Sequence, residues 1–513
     1  MKTNRRDFIQ IGAGAAAFAA TGDILAGISK PKAKRIPTRM FWNWDHSTNW
    51  CENVPGSQTI GVGNAYTKAY GTDGAWFERD FRRVVNWCAA HDMQAICVAG
   101  LVRSRHGGLD PATKWCTYSA ERGIDATRRL CGYAREKGVR VCIIGGAFAY
   151  GGAFYAGDHK YSLDRFLEAN PDCIAKDIDG EDLYAEFLSH GGTKREPQGC
   201  PSSEKLKDFV LESYDWLFKA IPELGGIQME AGDNGVCQCT RCKERRGRRA
   251  AQECMSLEDM AAIYPRLTDV IRARSGDALI ICETYHHFLD KACGLFYEDP
   301  PGSDAAKLFA MPKDVCWQWK CDEKLDKDEW PEGAALPKPM QAFHNVMRSH
   351  AATQWWGGRD SFDVDKIRRK CYLSSLSGID AVSMFGEVSP FHANAEFNYL
   401  ALQYFADTPD ASVADFAKDV MAPRLGGADR AADWLAWCRL EHDAAKIPYA
   451  TEKIARIAAD ANDAEIRRRW LQLGSRLESF HWEWERNGHV LPVYASHAEP
   501  MTRKEKAKGA DHL

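Results

Sequence analysis

The sequence predicts an α/β protein: a (β/α)8 barrel of the TIM type over residues 39–406, followed by a C-terminal helical region over residues 407–513. Three observations carry this expectation. Short apolar runs of strand length alternate with longer runs of helical spacing, eight times in succession. No Gly-x-Gly-x-x-Gly follows the first apolar run, as a doubly wound nucleotide-binding sheet would require. Beyond about Ser412 the strand-like runs cease, and Arg-, Glu- and Trp-rich helical patterning takes over.

Taken in order, Arg39 to Asp45 reads as the first strand. Phe77, Phe81, Val84, Val85 and Cys88 place one apolar face on a helix over Trp76–His91. Gln94 to Ala99 is the second strand and Ala120 to Lys137 the next helix, stopped by Gly138. Val139 to Ile144 is the third strand. A long insertion, Ala147 to Gly199, follows it, with a short helix over Tyr161–Ala169 and a hairpin over Cys173–Leu183 turning at Asp179-Gly180. A helix capped by Ser203 leads to the fourth strand at Ile227–Met229, and a helix over Leu257–Arg274 leads to the fifth at Ala278–Cys282. Asp314 to Trp319 is the sixth strand. Pro339 to His350 reads as helix, Ala352 to Trp356 as the seventh strand, Val364 to Leu376 as helix and Ala381 to Phe385 as the eighth strand. Asp429–Ala445 and Thr451–Asn487 read as long amphipathic helices.

In parallel barrels, ligands meet the carboxyl ends of the strands. Three glutamates fall there: Glu230 after the fourth strand, Glu283 after the fifth and Glu387 after the eighth, with Asp233 close to the first of them. Two carboxylates across one opening suit hydrolysis of a glycosidic bond, one protonating the leaving oxygen while the other attacks or activates water. Seventeen Trp residues are many for 513. Trp42, Trp44, Tyr285, Trp317, Trp319, Trp355 and Trp356 stand near strand ends, where a flat ring can cover a sugar face. Asp45, His46, Arg103, His286 and Arg359 are candidate hydroxyl ligands. For each glutamate taken singly, a structural hydrogen bond is an equal alternative; as a set they favour chemistry.

Cys237-x-Cys239-x-x-Cys242 has three readings. Thiolates at this spacing could hold a structural zinc, with Cys200, Cys254 or a histidine as fourth ligand. A disulfide beside a free thiol is the second, and packing the third. The basic run Lys243–Arg249 reads as a solvated helix face. His286-His287 with Glu283 does not make a catalytic metal site by spacing, because neighbours on a strand point to opposite faces and no His-Glu-x-x-His is present.

A resemblance adds to these residues. Asn170-Pro171, Asp179-Gly180, Cys200-Pro201-Ser202-Ser203, Glu230-Ala-Gly-Asp233 with its cysteine triplet, Glu387-Val-Ser-Pro390 and Asn394-x-Glu396-x-Asn398-Tyr399 resemble an uncharacterised exported group of glycoside-hydrolase-like barrels, similar in layout to β-N-acetylhexosaminidases and α-glucuronidases. The likeness spans about residues 39–427. It implies that Glu230 is the general acid; Glu387 is the partner expected from the strand-end acids, with Glu283 or Asp233 as substitutes. Hexosaminidases carry an adjacent Asp-Glu pair at that point, whereas Ala231 and Gly232 separate the two acids of this chain.

Residues 1–38 read as an address and linker. Asn4-Arg5-Arg6-Asp7-Phe8-Ile9, ahead of a short Ala/Gly-rich apolar stretch, resembles a twin-arginine export signal. The expectation is an exported protein, periplasmic or extracellular, whose partners are the export machinery and an oligo- or polysaccharide. Net charge is −4 and no long basic block lies outside the N-terminus, so neither nucleic acid nor a membrane surface is an expected partner. No cofactor is expected for catalysis. A glycan-binding barrel without activity, and a metal-dependent sugar isomerase or hydrolase, are the alternative functions.

Overall fold

The computed structural model describes residues 33–43, 75–99, 120–149, 151–154, 159–186, 195–231, 236–246, 255–290, 296, 304–349, 362–385, 390–440 and 443–488. All belong to one compact unit, Ala33–Leu513. The twin-arginine stretch lies outside the described residues.

The strands are β1 (Thr38–Asn43), β2 (Ala95–Ala99), β3 (Arg140–Gly146), β4 (Tyr184–Glu186), β5 (Arg195–Pro197), β6 (Gly226–Glu230), β7 (Leu279–Glu283), β8 (Cys316–Lys320), β9 (His344–Ser349) and β10 (Ala381–Phe385). Eight of them close a parallel barrel in the order β1-β10-β9-β8-β7-β6-β3-β2. The first strand closes the ring by pairing with both β10 and β2. The remaining two, β4 and β5, pair antiparallel within the insertion after β3.

Strand residues alternate in direction, and this sorts the core into two layers. Met40, Trp42, Ala95, Cys97, Cys142, Ile144, Ile281, Cys316, Val346, Ala381 and Phe385 form one cluster inside the ring. Their neighbours in sequence, among them Phe41, Ile96, Val141, Ile227, Ile280, Met347 and Val382, belong to the outer layer beneath the helices. Both strand faces are thus apolar, which explains runs without polar alternation. Cys97, Cys142, Cys282 and Cys316 are free and buried.

Most elements lie where the sequence places them. The helices Leu257–Arg274 and Val364–Leu376 and strand β10 keep the expected bounds. Ser203 caps the helix Glu204–Ala220 by accepting from the Leu206 amide at 3.3 Å. Three readings need correction, one being the expected helix Asp429–Ala445, which runs only over Ala428–Trp437. The segment read as helix over Pro339–His350 is a 3-10 turn, Lys338–Ala342, followed by β9, which is the seventh barrel strand. The expected strand Ala352–Trp356 lies outside the described residues. The expected helix Thr451–Asn487 is two helices, Ile447–Asp460 and Ala464–Asn487: the chain turns extended at Ala461, and Asp463 caps the second helix, accepting from the Glu465 and Ile466 amides.

In the insertion, Asp177 holds the turn at Gly180 by accepting from the amides of Asp179 and Glu181, each at 2.9 Å. A single bridge, Lys176 to Asp182, represents the expected hairpin. No described helix is long and apolar enough to cross a membrane.

Candidate active site and cysteine cluster

At the carboxyl end of the barrel, alternation turns Glu230, Glu283, Lys320 and Arg348 inward beside Trp42 and Phe385 of the apolar cluster. One step deeper, Gln228 and Gln318 exchange amide hydrogen bonds of 3.1 and 3.4 Å across the ring. Glu230 and Glu283 therefore end adjacent strands on one side of the mouth, and both are buried.

Glu283 is fully engaged. One oxygen pairs with the Arg348 guanidinium, and the other accepts from the Ala231 amide at 2.9 Å. The Tyr264 hydroxyl, behind the strands, donates to the carbonyls of Glu283 and Met229 at 3.0 and 3.3 Å. These bonds fix β6 and β7 relative to each other just where their acids emerge.

Arg348 is the hub of the mouth. Its guanidinium carbon lies 4.8 Å from the ring centroids of both Trp42 and Tyr285. The Lys320 ammonium is 4.6 Å from the Tyr285 ring, and Trp42 meets Phe385 edge-on at 4.5 Å. Tyr285 takes a left-handed φ of 56°, a strained conformation for an aromatic residue, and its ring faces these cations. Thr284 ties the same turn to β8 by donating to the Gln318 carbonyl at 2.8 Å. His286 is buried and its Nε2 has no hydrogen-bond partner among the described residues. Burial lowers its pKa to about 4, opposed by Asp290 and reinforced by His287.

A small cleft of about 40 Å³ runs from Glu230 into the insertion. Its walls include Phe148, Gln198, Val236, Cys237 and Asp259. Asp259 is buried against Arg245 and Arg246, and burial pushes its carboxyl up while Arg245 opposes the shift. The basic run is thus not simply a solvated face: Arg246 is buried and donates to the Cys237 carbonyl at 2.6 Å.

Behind this wall, the Sγ atoms of Cys200, Cys237, Cys239 and Cys242 all lie within 4.8 Å of one another. The group could hold a metal ion. Cys242 accepts from the Arg245 guanidinium at 3.7 Å and lies 3.1 Å from the Ser202 hydroxyl. Contacts with Cys200 and Cys237, then Ser202 and Arg245, draw the Cys242 thiol below its ordinary pKa against the effect of burial.

Of the residues singled out in sequence, the structure brings Glu230, Glu283, Trp42 and Tyr285 to one mouth. His286 lies in the turn after β7. It does not bring Trp317 and Trp319 there. Both rings point outward, have no exposed surface and meet Phe296 at 5.3 and 5.2 Å, so they offer no face to a ligand. Trp42 itself is 3% exposed, its ring covered by Arg348 and Phe385. Glu387, Asp233, Trp44, Asp45, His46, Arg103, Trp355, Trp356, Arg359 and Cys254 lie outside the described residues. Sequence reasoning missed Arg348 and Lys320. Once β9 is placed at His344–Ser349, alternation alone turns Arg348 inward.

No protein-family model matches the chain, and no curated protein matches its sequence. Solved structures with a similar course include glycoside hydrolases. A GH138 enzyme targeting pectin rhamnogalacturonan II aligns over 88% of this chain and 58% of its own, at 10% identity and a TM-score of 0.45. An O-GlcNAc hydrolase from Thermobaculum terrenum aligns over 80% of this chain and 79% of its own, at 10% identity and a TM-score of 0.41. A β-N-acetylhexosaminidase from Bacteroides fragilis aligns over 72% and 65%, at 11% identity and a TM-score of 0.39. The chain thus spans less than two thirds of the length of the first and third of these.

Proposed function

We propose that the chain is an exported glycoside hydrolase in which Glu230 is the general acid and Glu387 the partner carboxylate. The observation that supports this reading best is the placement of Glu230. It ends a barrel strand at the carboxyl mouth, lines a cleft, and stands beside an acid that is already neutralised. Glu283 has both oxygens committed to Arg348 and the Ala231 amide, which suits a positioning role better than proton transfer. The sequence of events is then ordinary for the chemistry: Glu230 gives its proton to the departing glycosidic oxygen, and the partner carboxylate attacks the anomeric carbon or activates water. Acid–base chemistry of this kind needs no cofactor. Export is proposed on the twin-arginine motif, and the substrate is an oligo- or polysaccharide.

The test is a screen of aryl glycosides and natural glycans, followed by Glu230→Gln. Loss of a general acid should lower kcat by about 10²–10⁴-fold for poorly departing groups. Aryl groups that leave without protonation should lose far less, and binding should persist. Equal loss for all leaving groups would remove Glu230 from that role. An intact wild-type protein that binds glycans and cleaves none would favour a glycan-binding barrel instead.

A further inference from the structure

We infer that Cys200, Cys237, Cys239 and Cys242 bind one zinc ion as four thiolates, and that this ion is the clasp holding the insertion against the wall of the Glu230 cleft. The first half of the argument is geometric. Cys200 Sγ lies 3.6 Å from Cys237, 3.7 Å from Cys239 and 3.7 Å from Cys242. Because the outer three are also within 4.8 Å of one another, Cys200 is a vertex of a tetrahedral group rather than the centre of a flat one or a member of one pair. Four sulfurs set tetrahedrally at about 2.3 Å from one ion stand about 3.8 Å apart, close to these separations.

The surroundings are those of a negatively charged sulfur site. The Lys176 amide donates to Cys237 Sγ at 3.4 Å, and Arg245 donates to Cys242 Sγ. Such donors orient thiolates and offset the charge of a four-thiolate ion. Three of the four cysteines are buried and Cys239 is half-buried, with Ala175 and Leu183 around them. The fold has four sulfurs in a closed shell, which is the structural rather than the catalytic arrangement of zinc.

The second half concerns what the ion would join. Cys200 closes the insertion: its amide donates to the Cys173 carbonyl, and Gly199 beside it donates to Phe148. The other three cysteines sit beyond β6, in the segment that follows Glu230. Among the described residues, one backbone bond crosses between the two pieces, from the Gln238 amide to the Lys176 carbonyl at 2.6 Å. Gln198 and Gly199 from one piece and Val236 and Cys237 from the other face the same cleft as Glu230. An ion at the cluster would therefore fix the width of that cleft. This second half rests on Glu230 lying in the functional site; the metal itself does not.

The experiment is metal analysis of the full chain purified under reducing conditions without chelator, paired with thiol alkylation read by mass spectrometry. The expected result is about one zinc per chain, with Cys200, Cys237, Cys239 and Cys242 protected until a strong chelator is added and then alkylated together. Cys200→Ser should lose most of the zinc, whereas Cys131→Ser, far along another helix, should keep it. Absence of metal, iron in place of zinc, or alkylation of the four sites unchanged by chelator would overturn the assignment. To test the clasp, hydrogen exchange is compared with and without the ion in the same wild-type chain. Faster exchange confined to residues 173–200 and 236–246 is expected, and no change there would overturn the coupling. None of these measurements depends on a substrate, so their failure would leave the glycosidase reading standing, and the reverse.

Discussion

Arg348 concentrates the energetics of the mouth in one side chain. It is 3% exposed and its ion-pair partner Glu283 is 1% exposed. Two charges removed from water are tolerated only while they face each other, and removing one strands the other. The rings of Trp42 and Tyr285 on either side add a cation–π contribution but cannot replace the carboxylate. Arg348→Met keeps the aliphatic stem and leaves Glu283 buried without its cation. We expect it to destabilise the barrel by about 3–5 kcal/mol in urea unfolding. Adding Glu283→Gln to that variant should recover a large part of the loss, because the stranded charge is then gone. If the double variant is as unstable as the sum of the two single ones, the pair is not coupled and Glu283 is held by something else.

At the scale of elements, most of the barrel was legible because its strands are short apolar runs closed by glycine or a charged residue. Glu230 and Glu283 were legible for the same reason: each ends such a run. β9 was not. Phe343, Val346 and Met347 repeat at three and four, which satisfies a helical period, while the Trp-rich stretch after it has the stronger β preference. Ring closure decided between them, since the exposed edges of β8 and β10 both need a partner and His344–Ser349 supplies the register to each. Arg348 was lost with that strand. The two outward tryptophans were misjudged because the six-residue run containing them does not reveal which parity faces the ring. The C-terminal helices are held by a different device. Glu396, on the helix Ala393–Asp407, pairs through both oxygens with Arg469 at 2.7 and 2.9 Å and with Arg468 at 3.0 Å. Glu396→Ala should open the docking of Ala464–Asn487 at a local cost of about 3–5 kcal/mol, seen as faster hydrogen exchange in that helix. Unchanged exchange there would mean that apolar packing alone holds the helix.

For the molecule as a whole, closure joins the first barrel strand to the last, so the seam between β1 and β10 carries long-range contacts that no local element can supply. Arg39 stands at that seam with no exposed surface, paired to Asp92 at 2.6 Å and to Asp407. Here the cation is the buried partner and both acids reach solvent, being 55% and 36% exposed. Deleting the arginine therefore frees two carboxylates that water can satisfy, whereas deleting the acids strands a charge. Asp92→Ala with Asp407→Ala should accordingly be the damaging change, costing about 3 kcal/mol because the Asp92 carbonyl still accepts from Arg39. The two lesions should also differ in reach. Loss of Glu396 loosens one packed helix and spares the ring, since the strands keep both neighbours. Loss of the seam acids raises the free energy of the only state in which all eight strands are paired, so protection should fall together in β1, β10 and the strands most distant from them. Hydrogen exchange on both variants distinguishes these outcomes, and a seam lesion confined to β1 and β10 would mean that the barrel unfolds in pieces rather than as one cooperative ring.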